Sequence, residues 1–280
     1  MDVIGIALDT LDCIKQGYYV TSSGERIDIR DSIKKSVSQT QYFEPEGLEE
    51  IVAEVLKRPG RWPATKIDFR IESTLTGAKD LVNSGRFSRV GVLNFAAALS
   101  PGGRFLAGAQ AQEETLARSS ALYSTLVQCP EYYRFHQAQE NPFYSDRMIY
   151  SPVCPVFKDD GGAYLERPYL VDFLTSPAPY AGFVAPGDGA SRRLLGEIFQ
   201  ERGKMVLALF ASMQCDALVL GAWGCGAFCN SPEMVSQMFA RYLGELGAFS
   251  GHFDYVRFSI LHDAVEDRNY TIFRRAFEKF

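Results

Sequence analysis

No run in the sequence approaches the roughly 18 consecutive apolar residues that span a bilayer, which gives no sign of a membrane helix. Basic residues are outnumbered, 29 against 34 acidic ones for a formal charge of -5, and form no block. A chain that tracks a nucleic-acid backbone needs clustered cations, so direct duplex binding is not expected. The opening "MDVIGIALDTLDCIKQG" has neither a basic leading segment nor a small-residue cleavage site, and no secretory signal is expected. Six cysteines (13, 129, 154, 215, 225 and 229) lack the spacing of a disulfide framework, which points to a reducing compartment, by default the cytoplasm. Only three histidines occur, His136, His252 and His262, and they stand apart. Cys225 and Cys229 have no second close pair to complete the four ligands of structural zinc, so the expectation is no metal, with the thiols filling small packing spaces. Internal repeats, low-complexity tracts and long polar linkers are also missing.

What is present is apolar residue in quantity: 46% of 280 residues, enough to bury a substantial core in one compact unit. From Ile4 to Ile14, apolar residues at 4, 7, 8, 11 and 14 predict a helix that ends before Gly17. "YYVTSSGERIDI" places two β-type runs around Ser22 to Glu25, a hairpin signal. "EGLEEIVAEVLKR" predicts a second amphipathic helix, stopped by Pro59 and Gly60. Residues 1–65 thus read as a helical and hairpin extension packed on a core unit of residues 66–280. In that unit the strand-like runs "KIDFRIES", "VGVLNF", "YLVDFLT", "DALVLGA" and "DYVRFSIL" are interleaved with helical stretches at 77–83, 115–127, 194–213, 234–246 and 270–277. Strands alternating with helices imply an α/β fold with a layered, largely buried sheet, and ligands in such folds sit beyond the carboxyl ends of the strands.

Two glycine-rich segments follow strand-like runs. In "VGVLNFAAALSPGGRF", Gly102 and Gly103 let backbone amides approach a ligand with no Cβ in the way, and a phosphate is a natural guest; read alone, Pro-Gly-Gly is also simply a turn. Glu113 and Glu114 come next. Adjacent helical residues face different surroundings, so one carboxylate is free to hold sugar hydroxyls while the other keeps a proton for general-acid work. The plainer alternative is that both complement the dipole at a helix start. In "DALVLGAWGCGAFCNSPEMV" a strand runs through Gly221, Gly224 and Gly226 to a helix start marked by Ser231 and Pro232, a unit able to cradle a diphosphate. It fits neither the dinucleotide fingerprint nor a P-loop. Phe228 is either core filler or a platform for a ribose or base.

The segments "NFAAALSPGG", "GAQAQEETLARSSALY", "SPVCPVFKDD", "VDFLTSPAPYAG" and "VLGAWGCGAFCNSPEMV" stand in the order of the bacterial-type poly(ADP-ribose) glycohydrolases, and the chain resembles that macrodomain family over nearly its whole length. Gly102-Gly103-Arg104, the seven residues 105–111 and then Gln112-Glu113-Glu114 are similar to the family's spaced glycine and Gln-Glu-Glu signature. The amino-terminal "IALDTLDCIKQGYY" is similar to the family's helical extension. The resemblance implies a macrodomain-like mixed sheet flanked by helices that binds ADP-ribose between two loops and hydrolyses a ribose glycosidic bond without a cofactor. It implies that Glu114 is the catalytic acid and that Glu113 holds hydroxyls of the distal ribose. Gly102 and Gly103 match the loop near that ribose and the diphosphate, Gly224, Cys225, Gly226 and Ala227 the diphosphate loop, and Phe228 the aromatic residue that orders the terminal ribose. Asn94 matches the strand-end Asn, and Gln112 and Arg104 complete the expected binding set.

Two residues depart from the pattern: Arg104 replaces the third glycine, and Tyr180 stands where the family has Asn. Beside a poly(ADP-ribose) glycohydrolase, these departures leave room for a mono-ADP-ribosyl hydrolase or for a reader that binds ADP-ribose without turnover. An unrelated α/β domain whose glycine loops are only turns is the remaining alternative.

Overall fold

The computed structural model describes residues 2–262 and 267–278. In chain order it contains α1 (Val3–Gln16), β1 (Tyr18–Val20), β2 (Arg26–Asp28), α2 (Arg30–Gln39), β3 (Gln41–Phe43), α3 (Pro45–Leu56), β4 (Lys66–Ile71), α4 (Thr74–Asn83), β5 (Val90–Phe95), α5 (Gln112–Ser119), α6 (Leu122–Leu126) and α7 (Pro130–Gln137). There follow β6 (Met148–Lys158), β7 (Tyr164–Ser176), α8 (Gly189–Ser212), β8 (Ala217–Leu220), α9 (Pro232–Leu243), β9 (Tyr255–Ile260) and α10 (Arg268–Phe277). Seven strands form one mixed sheet in the order β3-β6-β7-β5-β8-β9-β4, and β1 and β2 form a separate antiparallel hairpin. The β7-β5-β8-β9-β4 pairings are parallel, whereas β3 and β6 join antiparallel.

Strands covered on both faces read as continuous apolar runs, and β8 shows why. Its Ala217 and Val219 face Leu75, Leu116, Leu122 and Tyr132 on one side. Leu218 and Leu220 face Phe199, Phe210, Phe239 and Phe273 on the other. Because β5, β7, β8 and β9 run parallel, the segments that follow them all leave from one edge of the sheet. Residues 1–65 pack on this core and also contribute β3 as its edge strand.

The helix expected at Ile4 to Ile14 is present, but its buried face is Ala7, Thr10 and Cys13, while Ile4 and Leu8 are exposed. Polar contacts turn it. Thr10 Oγ1 donates to the Arg118 carbonyl (2.5 Å), and fully buried Lys158 reaches Asp9 (2.7 Å) and Thr10 Oγ1 (2.8 Å). α1 thereby sits behind a small cluster of Ala7, Phe105 and Ala117, with Leu11 and Tyr123 against it.

The single helix expected over 115–127 is two. Ser120 leaves helical geometry to bridge Val156, and Ala121 N–H donates to the Pro155 carbonyl (3.0 Å). Strand β6 was hidden by Pro152 and Pro155. The structure absorbs Pro152 in a bulge between Ser151 and Cys154, with Val153 at φ +46 and its N–H held by Asp172 (2.7 Å), while Pro155 stays in register opposite Leu170. α2, β3 and α7 likewise had no expectation in the sequence reading. Their bounds are Arg30–Gln39, Gln41–Phe43 and Pro130–Gln137.

Removing one partner of a fully buried ion pair costs about 3–5 kcal/mol. Asp9 is about a third exposed, so Asp9→Ala is expected to cost less, about 2 kcal/mol, by leaving the Lys158 ammonium without its anion. Urea denaturation checks this, and an unchanged midpoint refutes it.

Candidate active site

The first half of the site is the join between the end of β5 and the start of α5. Gln112 clamps it: Oε1 accepts from Phe95 N–H (2.8 Å), and Nε2 donates to the Leu93 carbonyl (2.8 Å) and Thr74 Oγ1 (3.2 Å). Glu113 points into the same join, 2% exposed, and accepts from Ala97 N–H (2.7 Å) and Asn94 Nδ2 (3.1 Å). Asn94 is wholly buried and also donates to Thr175 Oγ1 on β7 (3.1 Å). Its amide oxygen has no hydrogen-bond partner among the described residues. Burial pushes the Glu113 carboxyl up to about 8; the Ala97 N–H and the Asn94 amide pull the other way, and neighbouring Glu114 adds to the rise.

Glu114 sits in the same first helical turn, 9% exposed, and accepts from the Arg104 N–H (3.0 Å). The turn that brings Arg104 there uses left-handed backbone at Gly102 (φ +68) and Gly103 (φ +60). Gly103 lies directly against the Glu114 carboxyl, close enough that any Cβ would collide with it, and Glu113 is the next neighbour. Glycine at 103 thus serves two needs, a backbone conformation and a close approach. The surroundings of the carboxylates overlap at the glycine turn but differ beyond it: Glu113 is bound to the strand end at Asn94 and Ala97, Glu114 to the Arg104 N–H.

The second half is the loop after β8. Trp223 is fully buried and donates its indole N–H to the Ser176 carbonyl (3.2 Å). Asn230 Nδ2 donates to the carbonyls of Pro179 (2.8 Å) and Gly224 (3.0 Å). Gly224, at φ +73, lies against Ala178 and Asn230 where a Cβ would clash. Ser231 accepts from Met234 N–H at the start of α9, as the sequence predicts. Phe228 is half-buried, with Tyr180 stacked on it at 5.2 Å and 22° and Tyr144 tilted against it at 5.9 Å. Tyr180 thus acts as the backing of Phe228. Cys225 is only partly exposed, and burial pushes its thiol up to about 12.

Between these halves lies a cleft of about 290 Å³. Gly224, Gly226, Ala227 and Phe228 line one side and Ala111, Gln112 and Phe95 another. Of the expected residues, Asn94, Gly102, Gly103, Arg104, Glu113, Glu114 and Cys225 are not part of its lining. All but Cys225, which belongs to the loop after β8, stand on the β5–α5 join that Gln112 presents to it. The cleft also uses Thr74, Ala178, Ser259, Ile260, Leu261, His262 and Asn269, which the sequence reading did not single out. The ends of β4 and β9 were the available signal, since ligands gather beyond the carboxyl ends of parallel strands. Among the described residues, no three His, Cys, Asp or Glu side chains are grouped to hold a metal, and no helix is long and apolar enough to cross a membrane.

A carboxyl that burial pushes up to about 8 in the folded protein, against an ordinary value of 4.5 in the unfolded chain, binds more protons in the native state across that interval. Its contribution to stability is present below the lower value and is lost as pH rises through the upper one. Glu113→Gln mimics the protonated form, so the stability of the variant relative to the parent should improve steadily between pH 5 and 8. Urea titrations at three pH values check this, and a constant difference refutes it.

Comparisons with known proteins place this geometry. The family model for the microbial-type PARG catalytic domain matches residues 7–159. A search of curated proteins gave no match. Among solved structures, the poly(ADP-ribose) glycohydrolase of Thermomonospora curvata is 40% identical, with 98% of this chain and 99% of that chain covered and a TM-score of 0.94. The same enzyme bound to the inhibitor ADP-HPD is 39% identical at the same coverage, with a TM-score of 0.91. The poly(ADP-ribose) glycohydrolase of Deinococcus radiodurans in complex with ADP-ribose is 36% identical, covering 88% of this chain and 97% of that chain, with a TM-score of 0.81. The fold is that of these enzymes, a macrodomain-like mixed sheet between helical layers. With more than half its length inside the family model and whole-length relatives near 40% identity, the chain belongs to the microbial-type poly(ADP-ribose) glycohydrolase family.

Proposed function

We propose that the protein hydrolyses the ribose glycosidic bond of poly(ADP-ribose) and releases ADP-ribose, with Glu114 as the general acid and base. The observation that carries this reading is a pair of buried carboxylates in the first turn of α5, beside a cleft walled by a glycine loop. ADP-ribose lies in the cleft, its diphosphate against the amides around Gly224 to Ala227 and its distal ribose held by Phe228. Glu113, protonated at neutral pH, meets the hydroxyls of that ribose. Glu114 gives its proton to the departing ribose oxygen as the C1″–O bond breaks, and positive charge develops on C1″ and the ring oxygen. The resulting carboxylate then takes a proton from the water that attacks C1″, so the acid is restored. The Arg104 N–H fixes the orientation of the acid during both steps.

The same reading assigns the chemistry to residues 66–280 and a supporting role to residues 1–65, which brace Phe105 and Ala117 through α1. The six cysteines are all free, which suits the reducing cytoplasm.

Glu114→Gln is expected to lower ADP-ribose release about 10²- to 10⁴-fold, the usual contribution of a positioned acid. Its ADP-ribose affinity by calorimetry should stay within about tenfold, since the charge change does not touch the cleft lining. Retained turnover overturns the role of Glu114. Affinity without release in the parent protein would make it a reader instead. Gly103→Ala should act through the same acid: its Cβ displaces the Glu114 carboxyl, so kcat falls by about 10²-fold with little change in ADP-ribose affinity. Normal kcat in that variant refutes the wedge.

A further inference from the structure

Arg104 stands where the family has glycine, and its backbone shows why a side chain is tolerated there. Its φ is −111, in the region open to any residue, unlike the left-handed Gly102 and Gly103 before it. The substitution therefore adds a guanidinium to the turn without strain. The main-chain N–H of the same residue is 3.0 Å from Glu114 Oε1, so the side chain starts beside the acid. The side chain is exposed and forms no ion pair among the described residues. Arg118, the other arginine next to this turn, is different: it is buried and bound to the Ala109 carbonyl (2.5 Å) and Thr115 Oγ1 (3.1 Å).

We infer that Arg104 is a substrate-specificity residue that binds the diphosphate of the next unit of the polymer, the one that carries the leaving 2′-oxygen. The inference rests on the function proposed above. A general acid must come within about 2.6–3.2 Å of the oxygen it protonates. Arg104 N–H touches that same carboxyl, so the stem of its side chain starts near the oxygen that receives the proton. In the polymer, the leaving oxygen is the 2′-oxygen of the next adenosine, whose ribose carries a diphosphate on its 5′ carbon. A guanidinium on a flexible three-methylene stem, anchored beside Glu114, sweeps the space this diphosphate occupies. Arginine matches phosphate oxygens with two parallel N–H bonds. A single ADP-ribose attached to a protein side chain offers no second diphosphate there. The departure from glycine is therefore an adaptation toward polymer, and the unit being released gains nothing from it.

Three variants, Arg104→Gln, Arg104→Lys and Arg104→Gly, keep the main-chain N–H that holds Glu114. They are compared by kcat/KM on poly(ADP-ribose) at low and at moderate salt, and by calorimetric Kd for free ADP-ribose. A charge-assisted bond is worth enough that Arg104→Gln and Arg104→Gly should lose about tenfold in kcat/KM at low salt. The loss should shrink at moderate salt, Arg104→Lys should fall between these variants and the parent, and Kd for ADP-ribose should be unchanged in all three. Equal polymer kinetics in the parent and the Gln variant overturn the inference. An ADP-ribose Kd weakened by the same factor also overturns it, because Arg104 would then serve the bound unit. If the parent protein releases no ADP-ribose from polymer, the proposed function itself fails, a result distinct from either of these.

Discussion

The weld between the carboxyl end of β5 and the first turn of α5 is the constraint on which the site depends. A central parallel strand must end, and its last backbone groups need partners. Gln112 satisfies the amide of Phe95 and the carbonyl of Leu93, and Glu113 satisfies the amide of Ala97. Residues that complete the sheet's hydrogen bonding are thus the same residues that aim the acids. The Gln-Glu-Glu run is a structural joint and, on the function proposed above, the reactive group as well, and Gln112 lines the cleft from that joint.

Around this weld, charge is buried only where it is paired. Arg202 joins Asp146 (2.7 Å) and the Pro177 carbonyl (2.8 Å), tying α8 to the segment that carries Tyr180. Asp172 holds the bulge of β6 through Val153 and meets Arg89 (2.7 Å). The exceptions cluster around α5: Glu113, Glu114 and Arg118 are buried without an ion pair among the described residues, and desolvation is the largest influence on the Glu113 proton. Structural ion pairs settle the scaffold, and the unpaired acid belongs to the site, in keeping with the clustering of perturbed groups at reactive centres.

Much of this was legible from residue pattern. The runs that became β5 and β8 are largely apolar because the centre of the sheet is covered on both faces, whereas edge strand β4 alternates charged and apolar residues, and Ser231 with Pro232 marked α9 correctly. The glycine turns were visible as well, because left-handed backbone demands glycine. What escaped notice has physical reasons. Pro152 and Pro155 disguised β6, because a proline in a bulge and a second one three residues on look like a break in the strand. The buried face of α1 is polar at Thr10, and hydrophobic periodicity cannot register a threonine buried for its hydrogen bonds. The joining of Thr74, Ser259 and Ile260 in one cleft depends on β4 and β9 pairing across the sheet, a long-range fact that no local pattern encodes. The stack of Tyr180 on Phe228 is similarly a tertiary contact.

The small cluster of Ala7, Phe105 and Ala117 makes the first helix the floor beneath the turn that, on the proposed function, carries the chemistry. That helix is held by this small cluster, by Cys13 and Ile14 at the margin of one apolar layer and by a few polar contacts, whereas the sheet is held between two large apolar layers. Gentle heating that peels away the amino-terminal helix would disarm the chemistry while most of the architecture stays intact. Such a molecule would fail as a catalyst well before it melts.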